Sequence, residues 1–151
     1  MNKDDIVIRR ALPEELGRIL AMQSDVFSGE QGIPCDDIDS FLKKQPICWC
    51  AVCGDKIYGA TAAWIEGGRT HWGRFVVFPA ARGLHIGTKL ARYSFDDLFE
   101  NGTEEIIMDA RDATVKIVCG MGGKTTGPTY EFYGENITPV VLKREDYVKS
   151  V

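Results

Sequence analysis

The chain has 151 residues and a mass of 16.8 kDa, the size of one domain with room for a real core. Apolar residues make up 44% and charged residues 26%, ordinary for a soluble globular protein. A formal charge of −4 and a pI near 5.2 argue against binding nucleic acid, which needs a basic surface to neutralise phosphates. No apolar run approaches the roughly 20 residues that span a bilayer, and the charged start MNKDDIVIRR lacks a signal-like apolar segment. The sequence therefore reads as cytoplasmic, with reduced thiols and no membrane partner.

In chain order, residues 5–12 (DIVIRRAL) alternate as a short strand. Pro13 then opens a helix, PEELGRILAMQSDVFSGEQ, with acidic residues in the first turn where the helix dipole favours them. Leu16, Ile19, Leu20, Val26 and Phe27 form its apolar stripe. After GIP, the stretch DDIDSFLKKQ reads as a second short helix capped by Asp36 or Asp37. ICWCAVCG and IYGATAAWIE are two apolar strands joined across GDK as a hairpin, and GGRT turns the chain into a third, HWGRFVVF. A helix over residues 86–100 ends at Asn101-Gly102. EEIIMDAR is the next strand, DATVKIVCGM a short helix stopped by a Gly pair, and TYEFYG and ITPVVLKRE are the last two strands. This order predicts one α/β domain of the α+β type over residues 1–151: a mixed, largely antiparallel central sheet with helices on both faces. The apolar stretch ITPVVL, taken as exposed, offers an edge for pairing with a second copy, hence a homodimer.

The cysteines are Cys35, Cys48, Cys50, Cys53 and Cys119, an odd number that argues against a disulfide framework. In an extended strand CWCAVC places Cys48 and Cys50 on one face and Cys53 on the other. Such a set closes no tetrahedral site without a bend, so the expectation is buried strand cysteines and no metal. GMGGKTTG contains Gly123-Lys124-Thr125, the end of a P-loop, but the earlier Gly it requires falls at Val118 and no helix follows, which excludes a nucleotide kinase or GTPase.

The informative stretch is FPAARGLHIGTKLARY, residues 78–93. Here a strand becomes a helix through a turn carrying Arg82, Gly83 and Gly87. A helix N-terminus presents unpaired N–H groups and partial positive charge. Glycines let backbone approach an anion, Arg82 adds a bidentate donor and Lys89 lies one turn in. The result is a phosphate cradle in outline, although a plain turn has the same appearance.

With its neighbours this stretch resembles the GNAT superfamily of acyl-CoA-dependent N-acyltransferases. Their R/Q-x-x-G-x-G/A signature reads Arg82-Gly83-Leu84-His85-Ile86-Gly87. GRFVVFPAA resembles the family's fourth strand with its hydrophobic-Val-x-Pro ending. VFSGEQGIP (residues 26–34) resembles the V-F-x-x-E-Q-G-x-P stretch of one GNAT branch, and DARDATVKIVCGMGGK resembles A-x-x-x-A-V-x-F-Y-x-x-x-G-F. The resemblance covers nearly the whole chain. It implies the GNAT fold, acetyl-CoA as co-substrate, and direct transfer in a ternary complex to a primary amine of a small molecule or a protein.

The resemblance also implies roles. Peptide groups of Phe75, Val76 and Val77 bond the pantetheine arm like an added strand. Arg82, Gly83, Leu84, His85, Ile86, Gly87 and Thr88 hold the pyrophosphate. The Val77 N–H faces the charge that develops on the thioester oxygen. An ammonium of pKa near 10.4 must lose a proton before it attacks, and His71, Glu30 and Asp109 are the candidate bases. His71 shares sequence parity with Val77, which on a regular strand puts both on one face, and lies near the position of the Glu base in the histone-acetylating branch. As bland alternatives, His71 is a strand-start residue beside Trp72, Glu30 a surface carboxylate and Asp109 a helix cap. Glu30, Asp109 and Arg111 are the candidate acceptor contacts, Arg111 for an acidic group. Trp49, Trp64 and Trp72 are expected to fill the sheet faces.

Two positions depart from the family pattern. His85 replaces the first Gly of the signature, where a negative φ would make a side chain inexpensive; weakened or re-angled CoA binding is expected. Val118 replaces the Tyr that commonly protonates the leaving thiolate, leaving water or another tyrosine such as Tyr130 or Tyr133. These departures favour the alternative of a non-catalytic acyl-CoA-binding or sensing domain. An interaction domain without CoA binding is the third reading.

Overall fold

A computed structural model describes residues 5–29, 38–81, 83 and 85–148. The strands are β1 (Val7–Arg10), β2 (Ile47–Cys53), β3 (Lys56–Glu66), β4 (Arg69–Val77), β5 (Glu105–Arg111), β6 (Lys124–Thr125), β7 (Tyr130–Phe132) and β8 (Glu135–Lys143). The helices are α1 (Leu16–Gly29), entered through a 3-10 turn at Pro13–Glu15, α2 (Ile38–Leu42), α3 (Ile86–Glu100) and α4 (Asp112–Gly120). One sheet runs β1-β2-β3-β4-β5-β8-β6, with β7 also on β8. All its pairings are antiparallel except β4 with β5. That one parallel pair needs a crossover, which α3 supplies.

Alternation along the strands sorts the core to two faces. Trp49, Ala63 and Trp72 pack with Leu90, Phe95 and Phe99 of α3. Cys48, Cys50 and Ala62 turn the other way, toward Ile19 and Leu20 of α1. Both helices wrap the sheet with the apolar stripes their sequences carry. Among the described residues no cluster of His, Cys, Asp or Glu is arranged to hold a metal ion, and no helix is long and apolar enough to cross a membrane.

The segment ITPVVL is interior, contrary to the expectation of an exposed edge. β8 is flanked by β5 on one side and by β6 and β7 on the other, and Val140 and Leu142 are buried. The β8 backbone is paired on both edges, and from Thr138 onward burial alternates through Val140 and Leu142. The homodimer expected from that edge loses its basis.

Asp97 ties α3 to the β1–β2 edge of the sheet. Its carboxylate accepts from Arg10 Nε at 2.6 Å and from the indole N–H of fully buried Trp49 at 2.8 Å. Chiefly through the Arg10 hydrogen bond, and then the Trp49 bond, its pKa lies below the usual Asp value. A depressed carboxylate contributes stability above its unfolded pKa and loses it as pH falls through the folded one. Asp97→Ala is therefore expected to cost about 2 kcal/mol at neutral pH, since it strands a buried indole donor. The difference from wild type in urea unfolding should shrink below about pH 4. A pH-independent difference would contradict the assignment.

Candidate active site

β4 and β5 pair only at Thr70–Ile106 and His71–Ile107. Beyond that point β4 continues to Val77 and β5 to Arg111 without a ladder between them. β5 stays fully paired to β8 along its other edge, so the cause lies in β4. Gly73 opposes Ala62 and Val76 opposes Ala60, which leaves one extra residue on β4. This is a β-bulge, and it bends and twists its strand. Arg74, within it, has φ +51°, a left-handed conformation uncommon for any residue but Gly.

Side chains hold the bulge in place. Thr61 Oγ1 donates to the Gly73 carbonyl at 3.0 Å. Gln23 Nε2 donates to the Arg74 carbonyl, and Arg74 Nε returns a bond to Gln23 Oε1 at 3.1 Å. Arg111 Nη2 reaches across the splay to the Phe75 carbonyl at 3.5 Å. Arg74 also donates to the Leu20 carbonyl and Ser24 Oγ of α1, with its guanidinium over the Phe27 and Phe41 rings.

The splay opens two adjoining cavities of about 390 Å³ each. One is bordered by Phe27, Arg74, Asp109, Tyr130 and Phe132. The other runs along Val77, Gly87, Ala113, Ile117 and Glu135. Phe75, Arg111 and Thr114 border both, so the cavities meet there. Phe78 N–H bonds the Tyr58 carbonyl of β3 at 2.9 Å. Strand alternation then turns the N–H of Val77, and of Phe75, toward the splay. At Gly87 an added Cβ would lie 3.3 Å from Phe75 Cζ and 3.5 Å from Val77 Cγ2, so the start of α3 lies close against β4. Gly83, His85, Ile86, Gly87 and Thr88 lead into that helix; Ile86 buries its side chain, and no side chain caps the helix start. A backbone-lined slot ending at a helix N-terminus fits an extended acyl carrier with an anionic end.

His71 does not join this site. The bulge inverts parity between Gly73 and Val76, so His71, opposite Trp64, and Val77, opposite Gly59, lie on opposite faces of the sheet. Counting by twos holds only on an unbulged strand. The His71 ring stacks on Trp64 at 5.8 Å, with Nε2 3.3 Å from the Glu66 carbonyl oxygen, and it borders neither cavity.

His85 adopts φ +59°, and Gly83 φ +89°. The condition under which a side chain at His85 would be inexpensive, a negative φ, is not met. His85→Gly is expected to stabilise the fold by about 1 kcal/mol by relieving the left-handed conformation. Thermal unfolding checks this; a lower melting temperature would contradict it. Glu30, Arg82 and Leu84 lie outside the described residues.

Asp109 is exposed, borders the first cavity and caps no helix; α4 starts from Arg111 without a side-chain cap. Tyr130 stands close enough that burial, and then the Asp109 charge, raise its pKa. Tyr133 sits instead in the β7–β8 turn at φ +48°. Val118 is fully buried in the core; on α4 it is Ala113, Thr114 and Ile117 that face the groove. Gln23 and Arg74 are signalled in the sequence only as a polar residue inside the α1 apolar stripe, between Leu20 and Phe27, and a charge inside an apolar strand.

Residues 16–117 match the Acetyltransferase (GNAT) family. Among curated proteins none matches the chain. Among solved structures, Escherichia coli ElaA superposes with a TM-score of 0.78 at 19% identity, covering 89% of this chain and 98% of its own. An acetyltransferase-like protein of Salmonella typhimurium, yncA, solved with acetyl-CoA, gives 0.74 at 15% identity, with 95% and 96% covered. The spermidine N-acetyltransferase of Vibrio cholerae, solved with CoA and spermine, gives 0.71 at 12% identity, with 95% and 98% covered. The match over most of the chain and the splayed sheet agree: the chain belongs to the GNAT acetyltransferase family and has the acyl-CoA N-acyltransferase fold.

Proposed function

We propose that this acetyltransferase moves an acetyl group from acetyl-CoA directly to a primary amine held in the cavity beside Asp109, with both substrates bound at once. The observation that carries this reading is the meeting of two cavities at Phe75, Arg111 and Thr114, where the strands part. Acetyl-CoA supplies the activated acyl group, with the Val77-to-Gly87 cavity as its place. The amides of Gly83, His85, Ile86, Gly87 and Thr88, with Arg82 and Leu84, take the diphosphate. Phe75 and Val77 offer backbone groups to the pantetheine arm, those of Val76 being turned toward β3, and the Val77 N–H stabilises negative charge on the carbonyl oxygen.

Asp109 is the carboxylate bordering the acceptor cavity, and it attracts the incoming ammonium. It takes up the proton directly or through water. Tyr130 beside it is the hydroxyl available to return a proton. Arg111 receives an acidic group of the acceptor, and Glu30 is a further candidate to contact it. The yncA complex with acetyl-CoA and the spermidine enzyme's amine acceptor support the two substrate classes.

The non-catalytic sensing alternative draws support from Ile117, an aliphatic residue on the α4 face where a proton donor would be useful. Thiol release separates the two. With acetyl-CoA and a panel of small amines and amine-bearing peptides, the enzyme should release CoA thiol in an amine-dependent manner. Tight acetyl-CoA binding with no release by any amine would favour the sensor.

A further inference from the structure

We propose that Gln23 and Arg74 are positioning residues for acyl transfer, acting as a clamp that holds the β4 bulge, aims the Val77 N–H at the thioester carbonyl and presents the Phe75 N–H to the pantetheine arm. The inference rests on the acetyl-CoA reading above and assigns the side chains that make the geometry possible.

Three consecutive β4 carbonyls, of Gly73, Arg74 and Phe75, each accept a hydrogen bond from a side chain: Thr61, Gln23 and Arg111. Gln23 is fully buried and bonds both the carbonyl and the side chain of the same residue. A buried amide satisfied from one residue at both ends fixes that residue's backbone as well as its side chain. The residue it fixes is the one at φ +51°. A sparsely populated backbone conformation persists only where surrounding groups determine it. Without the clamp, β4 is free to lose its extra residue from the bulge and pair further along β5. That slip would turn Val77 away from the splay, because one residue of register inverts every direction.

The clamp also reaches the acceptor side. Arg74 lies 5.4 Å from the ring centroid of Phe27, which borders the first cavity. One guanidinium thus joins the α1 wall of the acceptor cavity to the strand that meets the thioester.

The test uses the full chain with acetyl-CoA labelled at the thioester carbonyl. In wild type, difference infrared spectroscopy should show the bound carbonyl stretch moved to lower frequency by the Val77 N–H. In Gln23→Leu the shift should be lost while acetyl-CoA stays bound with affinity within about threefold. Its kcat should fall roughly 30-fold with little change in KM for acetyl-CoA, the scale of a small misplacement of reacting groups. Adding Arg74→Gly should restore most of the shift and of kcat, because Gly holds a positive φ without help. A merely structural role predicts no such rescue. Should Gln23→Leu fail to fold, Gln23→Glu replaces it: the Arg74 Nε contact stays, the donor to the carbonyl goes, and the same loss is expected. Bound acetyl-CoA with an unchanged carbonyl shift in either variant would overturn the clamp alone. A wild type that binds no acetyl-CoA would overturn the functional reading and the clamp with it.

Discussion

Gly122→Ala should be the most destabilising glycine-to-alanine change among the described residues. Gly122 sits just past α4 at φ +110°, and an added Cβ would overlap the Asp146 carbonyl oxygen and fall 2.8 Å from its carbon. Those are backbone atoms, so no rotamer change relieves the contact. The opposing segment is held: Val148 N–H bonds the Met121 carbonyl at 2.9 Å. Tyr147 packs on Phe95 and Phe99 and donates its hydroxyl to Asp96 at 2.6 Å. Lifting it forfeits that packing and that bond. With the backbone penalty added, a loss of about 3 kcal/mol or more is expected, or a melting temperature roughly 10 °C lower. Gly120→Ala is the control, because nothing lies within 4 Å of its added Cβ; it should be near neutral. Equal melting temperatures for the two variants would refute the packing described here.

Gly87→Val should act on ligand binding rather than stability. The contacts are with side-chain atoms, Phe75 Cζ at 3.3 Å and Val77 Cγ2 at 3.5 Å, and Gly87 borders the carrier cavity itself. A single methyl is already tight; an isopropyl group must either fill the slot or push the first turn of α3 from β4. Both separate the helix N-terminus from the strand that is proposed to hold the pantetheine arm. Titration calorimetry should show acetyl-CoA affinity reduced at least about tenfold, or 1.4 kcal/mol, with the melting temperature within a few degrees of wild type. Gly87→Ala should lie between. Affinity within twofold of wild type for the Val variant would place the carrier elsewhere.

The parts of this molecule that were legible in its sequence follow local rules. The strand-turn-helix from Phe78 through Glu100 was read to the residue at its helix, because a Gly-rich turn before an amphipathic run leaves little choice of period. The β2–β3–β4 meander was legible for the same reason. β6 was not: two residues, Lys124 and Thr125, carry no periodicity. The bulge had only a faint mark, the isolated Gly73 and the charge of Arg74 inside HWGRFVVF, which does not fix where the pleat gains a residue. Its consequence was the misplacement of His71, whose parity argument was sound on a regular strand and wrong on this one. ITPVVL was read as exposed because an apolar run does not say whether strands lie on both sides of it. Gln23 was overlooked because a helix stripe is drawn through its apolar residues. A buried amide in that stripe announces a polar partner across the interface, here Arg74, that only the fold reveals.

The proposed acetyl transfer depends on where the thioester lies. A crystal structure of the acetyl-CoA complex tests this most directly. The acetyl carbonyl is expected at the meeting point of the two cavities, within hydrogen-bond reach of the Val77 N–H, and the diphosphate at the start of α3. Pantetheine outside the β4–β5 splay, or the thioester on the His71 face of the sheet, would contradict it.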